Sequence, residues 1–398
     1  MCLISLPQPA SPHRIPSLDG LRALSIFLVI ALHSLQRYSI HHPVALGWRA
    51  LFSGSAGVFI FFEISGFLIT TLLLNEYQQG TASLRAFYLR RAFRILPPLY
   101  AYIAVVVALG LAGRLAYTRL DIISSLFFFH NFSSTSTAWS LQHLWTISME
   151  EQFYLLWPVI LLLALRRSDR RSTEQNIPPP AQPDAGRSAA AIFPTCIILA
   201  SPLARGLLAR STNPTIHRIG VTNLQFDFLM FGCLLALLQN TARFESIYRA
   251  ISRVPWLPPA VMLLCNLLSA RFQNYFDLTV GFTINGIAIA FFLLWCTRNP
   301  TSAVGRILNC KPIVHIGILS YSIYLWQTLF LHHDNAQVFG SSSAVGVWMS
   351  TFPCNWIAIY VVASFSYYVI EMPSLALRNR LIAMLGWKSP NSTGRTTR

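Results

Sequence analysis

Charge is scarce in this chain of 398 residues. Asp, Glu, Lys and Arg together make up 11% of it, and only 14 residues are acidic. An ordinary soluble enzyme, with a charged share of ~25%, is excluded on that ground. Lysine is rarer still, since only Lys311 and Lys388 interrupt the arginines among 30 basic residues. The seven cysteines (Cys2, Cys196, Cys233, Cys265, Cys296, Cys310 and Cys354) stand apart with no CxxC pair. Neither a disulfide framework nor a metal centre is expected, and they read as small core hydrophobes. No Ser-His-Asp signature, phosphate loop or zinc spacing occurs. No internal repeat is present, which weighs against a transporter built from inverted repeats. The stretch Met1 to Pro12 is polar and proline-rich, so no cleavable signal peptide is expected.

Apolar surface is what the chain has in abundance. Hydrophobic residues make up 54%, and the mean hydropathy is +0.50. The net charge of +16 would suit nucleic acid. The basic residues, however, fall in short clusters between apolar runs, as the positive-inside rule requires, and no nucleic-acid partner is expected. The reading is an all-α polytopic membrane protein, a bundle of about ten transmembrane helices with no appended soluble domain. The spans are placed at 20–38, 53–74, 95–113, 146–165, 190–209, 223–239, 255–270, 279–297, 313–332 and 346–370. Prolines 194, 202, 258 and 259 interrupt the fifth and seventh. An inside N-terminus puts 22 of the 30 basic residues in cytoplasmic segments, and an even span count returns the C-terminus to that side. Residues 1–14 are then a cytoplasmic segment, 15–380 the membrane domain and 381–398 a cytoplasmic tail. Residues 166–188, basic and then proline-rich, form a flexible cytoplasmic loop within it.

Three constellations stand out. Arg22 opens the first apolar run and His33 follows eleven residues later, ~16 Å along a helix axis, so a titratable imidazole lies near the bilayer midplane. An ionisable group at that depth marks a functional site by default. On a helix, Arg91 and Arg94 share a face, as do Arg90 and Arg94. An interfacial helix obeying the charge bias is the plainer reading of this cluster, and a guanidinium fork for phosphates the sharper one. Glu150 and Glu151 begin the fourth span, and Glu63 lies inside the second. Counted from the cytoplasmic helix ends, Glu151 stands ~22 Å and Glu63 ~18 Å deep, a level similar to that of His33. A carboxylate beside an imidazole fixes its tautomer and raises its basicity, as a general base requires. Pairing for packing alone is the competing account. Toward the C-terminus, Ser320 to Gln327 forms an aromatic, hydroxyl-bearing stretch suited to lining a cavity, whereas Asp227 and Glu371 read as structural.

These motifs resemble the acyltransferase-3 family of integral membrane acyltransferases, in order and over nearly the whole chain. The carriers are Ser17-Leu18-Asp19-Gly20-Leu21-Arg22 with His33, Phe61-Phe62-Glu63-Ile64-Ser65-Gly66-Phe67, Arg91 with Arg94, Trp145 through Tyr154, and Ser320 through Trp326. The resemblance implies a multi-pass O-acyltransferase of the plasma (bacterial inner) membrane, with both termini cytoplasmic. It implies transfer of an acetyl or other acyl group from cytoplasmic acyl-CoA to a hydroxyl of a carbohydrate or glycolipid acceptor. Acyl-CoA, acetyl-CoA foremost, is then a co-substrate, with no permanently bound cofactor and no metal. By the resemblance His33 is the catalytic residue, as base or as acyl carrier, and Arg22 and Arg94 serve the acyl-CoA. Arg91 is expected to join them, and Glu150 or Glu151 to orient the imidazole. Ser65, Tyr154 and Tyr324 are candidate oxyanion donors, and Glu63 a candidate acceptor contact. The chain departs from the family pattern at Glu63, where a small apolar residue is usual, and at Gln327, where histidine is common. It also departs at Gln225 and Met372, where basic residues are usual. A proton-coupled transporter or flippase of a polysaccharide-export system, with the buried acids as relay, is the main alternative, and a silent scaffold the second.

Overall fold

A computed structural model describes residues 15–39, 53–133, 138–174, 182–208, 222–272, 280–340 and 343–385, with a few isolated positions between them. Every regular element among these residues is helical. Twelve principal helices carry the architecture: α1 (Leu18–Ser39), α2 (Gly54–Gln78), α3 (Leu84–Leu111), α4 (Trp145–Glu174), α5 (Gln182–Leu208), α6 (Asp227–Leu238), α7 (Ala242–Ser252), α8 (Leu257–Phe272), α9 (Phe282–Arg298), α10 (Lys311–Leu331), α11 (Cys354–Ser366) and α12 (Met372–Met384).

Seven helical segments are long and apolar enough to cross a membrane. An eighth arises if the pair Leu224–Leu238 and Ala242–Ser252, bent by 110°, is one span. The expected spans 255–270 and 279–297 are occupied by the shorter apolar helices α8 and α9. A count of ten is therefore approximate. The last span joins α11 to α12 through a π-helical turn over Tyr367–Glu371. Helix α3 begins before its expected span because Ser83 caps it, accepting from Ala86 N at 3.3 Å, so the arginine cluster rides on the membrane helix itself. Helix α4 runs on through Arg166 to Glu174 and α5 resumes at Gln182, so much of the expected flexible loop 166–188 is helical. No proline occurs there before Pro178, and nothing earlier stops the helix. Residues 175–181, like 1–14 and 388–398, lie outside the described residues.

Helix α2 occupies the centre, packed against α1, α4, α6 and α9. Its crossing with α6 is a near-contact of backbones. A Cβ on Gly66 would overlap the Leu229 carbonyl oxygen, and one on Gly232 the Glu63 carbonyl oxygen. Small residues at such crossings let membrane helices approach closely, where packing drives association. At the periphery α5 turns Ile192, Leu199, Leu203 and Leu207 outward, the apolar stripe expected of a lipid-facing helix.

One polar element is wholly enclosed. Arg205 of α5 donates to Asp227 Oδ2 at 2.6 Å and to Leu224 O at 2.9 Å, and both side chains are completely buried. Its second nitrogen reaches Thr283 Oγ1 at 3.2 Å. An isolated charge would be prohibitive here, and the pair with its added hydrogen bonds is the viable form. Asp227 thus has the structural role expected of it, and Arg205, read from the sequence only as one of the outer basic residues, is its partner. Asp227→Ala should lower stability by about 3–5 kcal/mol, because it strands an enclosed guanidinium. Thermal unfolding in detergent reads this directly, and Arg205→Met with Asp227→Leu should recover most of the loss.

Candidate active site

Two polar regions lie along α1, one at each end of its buried face. At the far end Val29, His33 and Arg37, spaced four apart on one side of the helix, line a cavity of about 780 Å³. His33 Nδ1 lies 2.7 Å from Gln327 Oε1 on α10. An amide oxygen only accepts, so Nδ1 carries the proton and donates it. The Nε2 lone pair is left bare, with no hydrogen-bond partner among the described residues. The opposite wall is aromatic: Trp139 stacks on the His332 ring at 4.5 Å between centroids, and Trp145, His143 and Tyr324 complete it. His143 Nε2 donates to Leu325 O at 3.2 Å, while its buried Nδ1 has no partner. Tyr324 donates its hydroxyl proton to His143 O at 2.8 Å and accepts from Thr146 Oγ1 at 2.6 Å. Thr328 also lines the cavity, with a buried hydroxyl that has no partner.

At the other end Arg22 of α1, Arg91 and Arg94 of α3, and Glu150, Glu151 and Tyr154 of α4 face one small cavity of about 40 Å³. Their convergence has a local cause. Pro97 has no N–H to give to the carbonyl four residues back, and that carbonyl, on Phe93, instead accepts from Ser374 Oγ of α12 at 2.9 Å. Tyr321 of α10 donates to Ile95 O at 2.9 Å. Side chains of α10 and α12 thus hold α3 at the turn that carries Arg91 and Arg94. The Arg91 guanidinium sits over the Tyr154 ring at 5.2 Å, and Arg22 reaches Asp19 at 3.5 Å. Arg90 points elsewhere, paired with Glu76 at 2.6 Å. Among the described residues, neither Arg91 nor Arg94 has a carboxylate within 4 Å, and Glu150 and Glu151 each keep a buried oxygen without a hydrogen bond. These charges face one another across the gap and are not locked in ion pairs.

A third, smaller cavity of about 30 Å³ lies between the two. It shares Phe61, Ile147, Glu150, Ser320 and Tyr321 with the arginine pocket, and Val29, Val58 and Tyr324 with the His33 cavity.

The geometry redistributes several expected roles. Gln327, not Glu150 or Glu151, orients the imidazole; the two carboxylates line the arginine pocket. Glu63 lines none of the three cavities, and its enclosed oxygens have no partner. Ser65 and Tyr154 hydrogen-bond to each other at the arginine end, away from the His33 cavity. Tyr324 does line that cavity, but its proton is committed to His143 O. Residues that sequence reasoning passed over are His143, Thr328, Trp139, His332 and Arg37. The only available signal was their spacing: Arg37 one turn beyond His33, and Thr328 beside the noted Gln327.

A family model described as an acyltransferase domain matches residues 15–371. The chain is 28% identical over 391 residues to the peptidoglycan O-acetyltransferase OatA of Listeria monocytogenes, covering 90% of this chain and 55% of that protein. It is 26% identical over 391 residues to the O-acetyltransferase OatA of Staphylococcus aureus, covering 91% and 57%. Similarity of 28% over 389 residues extends to YrhL of Bacillus subtilis, provisionally named for the same peptidoglycan activity, covering 91% and 55%. The chain therefore spans about half the length of the curated relatives it matches. No solved structure matches it. A match over residues 15–371, nearly all the described helices, places this chain in the acyltransferase family.

Proposed function

We propose that this chain is a membrane O-acyltransferase that moves an acetyl or other acyl group from cytoplasmic acyl-CoA to a hydroxyl of a carbohydrate or glycolipid. The names of its relatives point to the glycan of peptidoglycan as acceptor. One observation carries the reading: three cavities that share wall residues lie in series between an arginine cluster and an imidazole whose Nε2 has no partner among the described residues. The arginine bias along the chain supports a cytoplasmic position for Arg22, Arg91 and Arg94, with both termini on that side of the plasma membrane.

In this mechanism the nucleotide phosphates of acyl-CoA dock on Arg91, Arg94 and Arg22, where planar guanidinium forks suit phosphate oxygens. Glu150 and Glu151 line the same pocket and offset part of its positive charge without pairing to those guanidiniums. The pantetheine arm threads the narrow middle cavity, which requires the Phe61, Ile147 and Tyr321 side chains to part, and brings its thioester beside His33. The acceptor occupies the large cavity, its rings against Trp139 and Trp145. His33 Nε2 takes the proton of the acceptor hydroxyl as that oxygen attacks the thioester carbonyl. The tetrahedral oxyanion receives the free hydroxyl proton of Thr328 as a hydrogen bond. Its collapse breaks the C–S bond, and the imidazolium returns its proton to the leaving sulfur. One ester forms and free CoA departs. Gln327 fixes the required tautomer.

His33→Ala should reduce acyl transfer from labelled acetyl-CoA to a glycan acceptor by about 10²–10⁴-fold, while the protein still accumulates and melts normally. Normal transfer by that variant would end the reading. Gln327→Ala should lower kcat by about 10–100-fold with the donor KM little changed, since it misplaces the base without touching the donor. Arg94→Ala should do the opposite, raising the donor KM about tenfold.

A further inference from the structure

The acceptor cavity holds a charge that acyl transfer itself does not use. Arg37 stands one turn beyond His33 on the same face of α1, ~6 Å farther along the axis. Its Nη1 donates to His332 O at 2.9 Å, which ties the side chain to the end of α10. A guanidinium serving only its own helix would cap the last carbonyls of α1, and this one reaches across to another helix. Its remaining N–H groups have no hydrogen-bond partner, and no carboxylate lies within 4 Å, among the described residues. None of the described residues lining the cavity is acidic, whereas four histidines, His33, His143, His332 and His333, line it with Arg37. Asp334, at the rim, is turned to His333 at 3.2 Å and His332 at 3.6 Å and does not line the cavity.

A neutral sugar has no need of this charge, because the stacked aromatics and the Gln142 amide already supply what ring faces and hydroxyls require. Arg37 is partly exposed to the cavity, so its remaining N–H groups can be reached by an anionic ligand, for which a guanidinium is a strong hydrogen-bond donor. We propose that Arg37 is the anion subsite of this cavity. It binds a carboxylate or phosphate carried by the acceptor, and so selects which hydroxyl meets His33. The inference rests on the acceptor role given to the cavity above. The spacing sets the geometry: the anionic group and the reacting hydroxyl lie about one helical turn apart, on opposite sides of a single sugar ring. The anion is either a sugar acid or the phosphate of a lipid-linked glycan.

Equilibrium binding to the full chain in nanodiscs, with no acyl donor present, tests this separately from catalysis. The probes are an N-acetylhexosamine disaccharide bearing a carboxylate, its neutral methyl ester, and a glycosyl phosphate. The wild-type protein should bind at least one anionic probe about tenfold more tightly than the ester, with the preference shrinking as salt rises. Tighter binding of the sugar acid assigns the carboxylate source, and tighter binding of the glycosyl phosphate the lipid-linked one. Arg37→Gln retains an N–H for His332 O and should bind acid and ester alike, whereas Arg37→Lys should keep part of the preference. Equal binding of all three probes by the wild-type protein overturns the proposal, as does an Arg37→Gln protein with the wild-type preference. Loss of acyl transfer alongside an intact anion preference would count against the parent reading and leave this one standing.

Discussion

Helices α1 and α10 are held side by side at three depths: Ser17 N, just before α1, bonds to Asn309 Oδ1, just before α10, at 2.9 Å; His33 of α1 bonds to Gln327 of α10 at 2.7 Å; and Arg37 of α1 bonds to the carbonyl of His332, just past α10, at 2.9 Å. The two helices therefore run parallel in a fixed register, and the polar layout of the bundle follows from that registration. Eleven residues of α1 separate its first arginine from its histidine, and the pairing turns that interval into a defined separation of two chemical environments. Sliding α1 by one turn would uncouple His33 from Gln327 and carry Arg22 out of the pocket that Arg91 and Arg94 share with Glu150.

Charge inside the apolar bundle is handled in two ways. Arg205 and Asp227 close on each other, with further bonds to Leu224 and Thr283, and although Arg205 Nε and Asp227 Oδ1 stay unbonded, both side chains are fully enclosed. Arg22, Arg91, Arg94, Glu150 and Glu151 instead face one another across a gap. The cost of keeping such groups apart in a low dielectric is sustained where a bound molecule completes them. Among the buried polar atoms without a partner, those of Glu150, Glu151, Gln327, His143 and Thr328 belong to side chains that line or adjoin the cavities, while others, on Glu63, Asn285 and Ser366 for instance, lie apart from them.

Local information in the sequence carried the helices and the two ends of the site. Long apolar runs make membrane helices whatever their neighbours do, and the interval from Arg22 to His33 needs only a helical rise to become a depth. Arg91 and Arg94 fell on one face for the same reason. Partners across the bundle were not legible. Gln327 lies 294 residues from His33 and reads simply as a departure from a pattern, while a carboxylate at matching depth looked the better orienting group. Depth alone says nothing about azimuth: Glu63 is at a suitable level yet lines none of the cavities, and Glu150 and Glu151 belong to the arginine end. Arg205 counted as one basic residue on a side, because the charge bias weighs numbers and ignores which way a side chain turns. The helical run from Arg166 to Glu174 was hidden by its charge, which resembles that of a linker although nothing in it breaks a helix.

In the proposed mechanism the two substrates come from opposite faces of the membrane, and a bundle that works this way has to avoid becoming a channel. The middle cavity, about 30 Å³ and lined by Val58, Ile147 and Tyr324 among others, would be where that distinction is made. At a membrane potential of about 100 mV, each elementary charge crossing dissipates roughly 2.3 kcal/mol, so an open waterway there would be a continuous drain on the cell. If the side chains part only for the thioester arm, the donor itself fills the opening, and the permeability barrier would survive each turnover.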